Sequence, residues 1–196
     1  VACSHVNQVD KELLGWMEKA GCYRIDYGVE SGSPKILKNI KKGQTVERIE
    51  EVFRLTHEVG IKPRAYLMVG NPGEDGTTIE ETVKLMKKIK PYNAPSGQIL
   101  WVLPDTEIYE QAKSKGFISD EYWLKNDSMV YYVGEHDIEE LKALRNRLMK
   151  GMAKNEGSLR AYLEYLIRKI YYDYPILQKL RKLRRLLRVL NESTPN

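Results

Sequence analysis

The sequence predicts an α/β fold of parallel strands, arranged as an open doubly wound sheet or as an arc of a (β/α) barrel, with a C-terminal helical extension. Stretches in which apolar and polar residues alternate recur along the first part of the chain. Stretches with helical periodicity separate them. After about residue 135 the strand pattern stops and only helical patterns remain, which indicates the extension.

The first part of the chain contains two predicted strands, each preceded by a helix. Asp10 is a good N-cap for a helix that runs through Ala20. Residues 23–30 alternate between apolar and polar side chains, which predicts a strand. Thr45 is placed to cap the next helix, and residues 62–69 repeat the alternating pattern. A strand, a helix and a second strand in this order favour parallel pairing through a crossover.

The middle of the chain repeats the alternation of helix and strand. Residues 70–76 are rich in turn formers, and Thr77 or Thr78 is expected to cap the helix that follows. The apolar run of residues 98–103 fits a buried strand. A short helix is then expected to run to Lys113.

The charge distribution divides the chain into a body of residues 1–135 and a basic helical extension of residues 136–196. The formal net charge is +5, but residues 141–190 alone contain 14 Lys or Arg against three acidic residues. Helical patterns in the extension cover residues 138–155, 159–172 and 176–190. Such asymmetry is typical of a chain with an interaction arm.

Composition limits the class of protein. The hydrophobic content of 42% is enough for a sizeable core, and no stretch approaches the roughly 20 uninterrupted apolar residues that cross a bilayer. Two cysteines, Cys3 and Cys22, cannot form a disulfide framework and suit the reducing cytoplasm, where we expect the protein to work. The chain begins with Val1 rather than methionine, so we expect it to be a piece of a longer protein.

Two loops at predicted strand ends carry small and polar residues. Residues 28–33 read GVESGS, and residues 70–73 read GNPG. Functional groups in parallel α/β folds collect at the C-terminal ends of strands, so Glu30 and the two serines would form a polar rim there. A simple turn with a solvated Glu30 is an equal alternative on these residues alone.

Three sequence blocks carry a family resemblance. They read KAGCYRIDYGVESGS at residues 19–33, KGQT at residues 42–45 and LMVGNPGE at residues 67–74. Their order and spacing resemble the radical S-adenosylmethionine (radical SAM) superfamily, and most closely the branch that often carries an N-terminal cobalamin-binding domain. The resemblance covers about residues 1–130. It implies that the body is the C-terminal half of a six-stranded partial barrel, beginning near the third strand and supplying strands four to six.

The resemblance also implies a set of cofactor-binding residues. They are Glu30, Ser31, Ser33, Arg64, Met68 and Gly70. The first three would contact the ribose and the methionine portion of SAM, and the last two would contact adenine. The alternation of faces agrees, because Glu30 and Met68 lie opposite the apolar rows. Arg64 shares the face of Met68, where it would pair with the methionine carboxylate or, equally, with Asp26.

The sequence departs from the family in two places. The CxxxCxxC motif is absent, because Cys3 and Cys22 are the only cysteines. We therefore expect SAM and the 4Fe-4S cluster to function in the parent protein, with cobalamin as a further candidate, and no cofactor to bind this fragment alone. The usual Pro-Gly-Thr after the sixth strand reads Pro-Asp-Thr at residues 104–106. No catalytic or metal-binding residue is assigned.

Two functions stay open on the sequence. In the first, the parent is an enzyme that cleaves SAM reductively to a 5′-deoxyadenosyl radical, and this segment binds the nucleoside and part of an unknown substrate but is inactive alone. In the second, the chain is a non-catalytic binding module whose basic helix, residues 176–190, contacts nucleic acid, an anionic membrane surface or a partner protein. Exposed strand edges also predict self-association or contact with the missing N-terminal half of the barrel.

Overall fold

The computed structural model describes residues 1–92, 96–125, 130–132 and 134–153. The predicted helices of residues 159–172 and 176–190 lie outside the described residues. Contacts of the basic extension with nucleic acid, a membrane surface or a partner protein therefore stay predictions. In the part of the chain that the structure describes, no helix is long and apolar enough to cross a membrane.

Four strands form one parallel sheet in chain order. They are β1 (Ala2–Ser4), β2 (Arg24–Glu30), β3 (Lys62–Val69) and β4 (Ser96–Ile99). Every adjacent pair is parallel. This order confirms the predicted α/β arc, because consecutive strands of a (β/α) barrel also lie side by side. Self-association through the outer strand edges stays a prediction.

Helices connect the strands. A short 3-10 helix (Val6–Gln8) and α1 (Lys11–Lys19) precede β2, α2 (Pro34–Asn39) and α3 (Val46–Glu58) precede β3, and α4 (Gly76–Ile89) precedes β4. The helix α2 was not expected from the sequence, because the turn formers of residues 31–34 indicate only the end of a strand. Pro34 is the first residue of this helix, where a missing backbone N–H removes no intrahelical bond.

Two of the predicted helix caps are confirmed and the third is wrong. The side chains of Asp10 and Thr45 accept backbone N–H groups in the first turns of α1 and α3. The helix α4 was expected to be capped by Thr77 or Thr78, but its cap is Asp75. The Asp75 carboxylate accepts both threonine N–H groups, and the Thr78 hydroxyl accepts the Asp75 N–H in return.

Beyond the parallel sheet, the described residues add three helices and a two-stranded ribbon. They are β5 (Trp101–Val102), α5 (Glu107–Ser114), α6 (Asp120–Lys125), β6 (Val130–Tyr131) and α7 (Ile138–Ala153). The expected single strand of residues 98–103 is wrong, because β4 ends at Ile99 and β5 pairs antiparallel with β6. Val102 packs instead with Tyr109 and Tyr132 in a second, smaller core.

The main core lies between one face of the parallel sheet and the helices. Buried side chains such as Tyr27 on β2 and Leu67 on β3 pack there with residues of α1, α3 and α4. The helix α7 contributes Leu148 and Met152 to the same core. Residues 138–153 therefore pack with the body, although the sequence predicts that the extension begins at residue 136.

Candidate functional site

We call the sheet face opposite the main core the open face. It carries Asp26 and Glu30 on β2, and Arg64, Tyr66 and Met68 on β3. Because side chains alternate along a strand, these residues form rows at different depths below the strand ends. Glu30 and Met68 are nearest the C-terminal ends. Asp26 and Arg64 are partners in register and lie two rows deeper.

Glu30 forms an ion pair at the end of β2. Lys42 Nζ reaches it from the loop after α2 and lies 2.9 Å from Glu30 Oε1. The two side chains are only 15% and 27% exposed, so the pair is partly desolvated. Gly28 leaves the space for it, since a Cβ there would lie 2.8 Å from Glu30 Oε1. Glu30 has a φ of 63° and follows a bulge in the β2–β3 register, a strained arrangement that is typical of functional sites.

A cavity of about 270 Å³ opens at the strand ends beside this ion pair. Glu30 and Lys42 line it on one side, Met68 and Asn71 line it at the end of β3, and Leu100 lines it after β4. Its volume is close to the lower limit of about 300 Å³ for small-molecule sites. The lining combines two ion pairs, Glu30–Lys42 and Lys41–Glu107, with apolar side chains, which suits a ligand with a polar and a flat apolar part.

The structure places Ser31 and Ser33 behind the strand end. Both are fully buried, and neither lines the cavity. The Ser31 hydroxyl lies 3.2 Å from the hydroxyl of Thr82 on α4, and the Gly32 N–H donates to the same Thr82 oxygen at 2.8 Å. The Ser33 hydroxyl has no hydrogen-bond partner among the described residues. The assignment of both serines to the cofactor stays a prediction, and the contacts of Ser31 and Gly32 join the end of β2 to α4.

Gly70 begins the turn after β3 in a left-handed conformation, with a φ of 90°. A Cβ at this position would lie 2.7 Å from Leu141 Cδ2 on α7. The space beside Gly70 is therefore filled by α7, while Asn71 and Pro72 of the same turn line the cavity. Contact between Gly70 and a ligand stays a prediction.

The buried side chain of Glu74 stabilises this turn through backbone hydrogen bonds. The sequence did not indicate Glu74 as a site residue. Its side chain is buried, and its Oε2 accepts the N–H of Gly70 at 2.6 Å. Burial raises the pKa of the Glu74 carboxyl to about 7. The segment before α7 adds support, because His136 Nε2 donates to the Glu74 carbonyl at 2.7 Å. Glu74 ends the block LMVGNPGE, but its contact with His136 joins residues 62 positions apart, which no local pattern shows.

Arg64 lies on the open face below the cavity. Its Nη1 is 3.9 Å from Asp26 Oδ2, and its guanidinium lies over the ring of Tyr66 at 5.0 Å. Asp26, one of the two partners that the sequence left open, lies beside Arg64, and pairing of Arg64 with the methionine carboxylate stays a prediction.

The described residues do not fit a metal cluster. Among them, no group of three or more His, Cys, Asp or Glu side chains could hold a metal ion. Cys3 is exposed on β1 and Cys22 is half-buried before β2, and both are free thiols. Two thiols cannot provide the three thiolates of a cluster loop.

The first three strands of the sheet and the helices between them match a known protein family in sequence. The model of the radical SAM superfamily matches residues 3–86, from β1 into α4. This part of the chain belongs to the radical SAM superfamily. The matched range includes Glu30, Met68 and Gly70, and the family prediction is confirmed.

Three curated relatives of this chain are named as methyltransferases or as a cyclase. An uncharacterized methyltransferase of Pyrococcus horikoshii is 26% identical over 189 residues, which cover 96% of this chain and 39% of that protein. The anaerobic magnesium-protoporphyrin IX monomethyl ester cyclase of Cereibacter sphaeroides is 28% identical, and the match covers 85% of this chain and 25% of the cyclase. The cytidylyl-2-hydroxyethylphosphonate methyltransferase of Streptomyces wedmorensis is 26% identical, and the match covers 58% of this chain and 22% of that enzyme. The chain thus spans less than half the length of each relative.

Solved structures agree with the radical SAM fold. The radical SAM methyltransferase TsrM from Kitasatospora setae, solved with cobalamin and a [4Fe-4S] cluster bound, is 26% identical with a TM-score of 0.50. The match covers 56% of this chain and 23% of that one. Coproporphyrinogen III oxidase from Escherichia coli matches 85% of this chain and 37% of its own with a TM-score of 0.58, but at 12% identity it shares the fold alone.

Proposed function

We propose that this chain forms the nucleoside- and substrate-binding side of a radical SAM enzyme. The observation that carries the proposal is the cavity at the strand ends, where Glu30 and Met68 meet inside the segment that matches the superfamily. The chain spans less than half of its relatives, so the activity of the whole protein is part of this proposal.

Four of the lining residues have a chemical role in this proposal. The Glu30 carboxylate accepts hydrogen bonds from the ribose hydroxyls, because its two oxygens suit two neighbouring donors. Lys42 keeps that carboxylate in place and balances its charge in a half-buried site. The thioether of Met68 packs on the flat face of adenine. Asn71 fixes the turn, since its side-chain amide donates to the Met68 carbonyl at 3.3 Å.

The remaining cofactors are proposed to be held by other parts of the parent protein. A 4Fe-4S cluster supplies the electron that cleaves SAM, and the two cysteines of this chain do not fit it. The cobalamin-bound structure of TsrM supports cobalamin as a further cofactor, and the names of two relatives favour methyl transfer as the reaction class. The free thiols of Cys3 and Cys22 support the proposal that the protein functions in the reducing cytoplasm.

The test is whether SAM is consumed in a reductant-dependent reaction. The gene product that contains this chain, reconstituted anaerobically with iron and sulfide, is expected to release 5′-deoxyadenosine or S-adenosylhomocysteine when reduced. Liquid chromatography separates the two products and so distinguishes cleavage from methyl transfer. The same protein without reductant is the control. If a protein whose absorption spectrum shows the cluster forms neither product, the proposal is wrong.

A further inference from the structure

We propose that the open face carries, below the strand-end cavity, a subsite for an anionic group of the substrate. Arg64, Tyr66 and Asp26 build it, and the ligand is a carboxylate or a phosphate. This inference rests on the proposed function only in assigning the anion to a substrate, since the geometry of the subsite stands on its own.

Asp26 is the buried centre of the subsite. It is 4% exposed on the open face of β2. Arg24 Nε forms an ion pair with Asp26 Oδ1 at 2.9 Å, and the Tyr66 hydroxyl donates to Asp26 Oδ2 at 3.2 Å. Burial raises the pKa of the Tyr66 phenol, so it stays protonated and keeps donating at neutral pH. The Asp26 carboxylate is therefore already paired with Arg24 and hydrogen-bonded at Oδ2 without Arg64.

Arg64 is the second positive charge beside this single carboxylate. Its Nη1 is 3.9 Å from Asp26 Oδ2, which is too far for a hydrogen bond. Within the described residues, its guanidinium donates no hydrogen bond, and Asp26 is its only ion-pair partner. The side chain is 22% exposed, so its N–H groups are open to a ligand from the open face. Two guanidiniums and one carboxylate leave this row with an excess positive charge.

The ring of Tyr66 fixes the orientation of Arg64. The guanidinium carbon lies 5.0 Å from the ring centroid, within the range of a cation–π contact. A guanidinium presents parallel N–H donors that match the two oxygens of a carboxylate or phosphate, and pre-orientation lowers the entropy lost on binding. The arrangement therefore selects an anionic group with two or more terminal oxygens.

The depth of the subsite separates it from the nucleoside. Arg64 precedes Met68 by four residues on the same strand face, or about 13 Å along β3. Two cations, Lys41 and Lys42, line the cavity, and Lys42 Nζ lies 3.2 Å from the position of a Cβ on Gly28, one row above Arg64. A ligand at the strand ends meets these two lysines before Arg64. Arg64 is thus placed for a second molecule that enters the open face below the cofactor, which is the substrate.

Nuclear magnetic resonance on the full 196-residue chain tests the subsite with three probes: acetate, inorganic phosphate and L-methionine. We expect acetate or phosphate to shift the Arg64 Nε–Hε resonance and the Tyr66 ring resonances in a saturable way. The variant Arg64→Gln should bind at least about tenfold more weakly, because it loses a charge-assisted pair. All titrations are run at a constant ionic strength of about 0.15 M to limit binding by the basic extension.

Arg54→Gln is the matched control. Arg54 is an exposed arginine on α3 that pairs with Glu58 at 2.6 Å, and its loss should leave the shifts unchanged. Equal weakening by both variants, or no shift at Arg64 with any probe, would contradict the subsite. Tighter binding of L-methionine than of acetate and phosphate at Arg64 would assign the site to the cofactor carboxylate and overturn the substrate assignment. None of these outcomes depends on SAM cleavage, so failure here and failure of the proposed function are distinguishable.

Discussion

Gly32→Ala is expected to lower the free energy of unfolding by about 3 kcal/mol, because the added methyl group would collide with backbone rather than with a flexible side chain. A Cβ on Gly32 would lie 2.6 Å from the Cα of Thr82 and 3.0 Å from the carbonyl oxygen of Glu81. Both are backbone atoms of α4, which cannot move without breaking the N–H bond from Gly32 to the Thr82 hydroxyl. Urea denaturation followed by circular dichroism measures the loss.

Gly15→Ala is the matched control for this substitution. Gly15 lies inside α1, and a Cβ there would meet no atom within 4 Å. Alanine should stabilise the helix by about 0.5–1 kcal/mol, because it restricts the unfolded chain more than glycine does. If the two variants change stability equally, α4 does not pack against residues 31–33 as described.

Stability should also depend on pH through Glu74. Burial raises the pKa of its carboxyl from 4.5 to about 7 in the folded chain, so folding favours the protonated form. The contribution of this group is fully present below pH 4.5 and is lost as the pH rises through about 7. Relative to Glu74→Gln, the wild type should lose on the order of 3 kcal/mol across that window. Denaturation curves at several pH values measure this difference.

Glu58→Gln is the reference for the pH series. Glu58 is a half-exposed glutamate on α3 that pairs with Arg54, so this variant reports the effect of removing an ion-paired surface carboxylate. Subtracting its effect isolates the buried group. A difference between wild type and Glu74→Gln that is constant with pH would mean that the Glu74 carboxylate is solvated, and the turn after β3 would then need another support.

Much of the fold could be predicted because its signals are local. The alternation of residues 62–69 records which side chains face the core, and β3 has these bounds. Asp10 and Thr45 cap helices through bonds within one turn. The strand β5 was mispredicted because its partner β6 lies about 30 residues later, and no local pattern records that pairing.

The sequence predicted the position of site residues that lie on strands, but not of those that lie in the loops after them. Face alternation places Glu30 and Met68 beside one cavity, as the sequence indicated. It fails one residue later, because the bulge before Glu30 and its left-handed φ redirect the chain, and Ser31 turns towards α4. Lys42 was missed because its ion pair with Glu30 depends on the path of the loop after α2.

The central claim is that Glu30 belongs to a SAM-binding site at the ends of the strands. Titration calorimetry of SAM into the anaerobically reconstituted gene product, as wild type, Glu30→Gln and Glu58→Gln, tests it most directly. The account predicts that Glu30→Gln weakens binding about tenfold or more, because a charged acceptor in a half-buried site is lost, while Glu58→Gln binds as the wild type does. Equal affinities for wild type and Glu30→Gln, with the cluster content of both proteins unchanged, would contradict it.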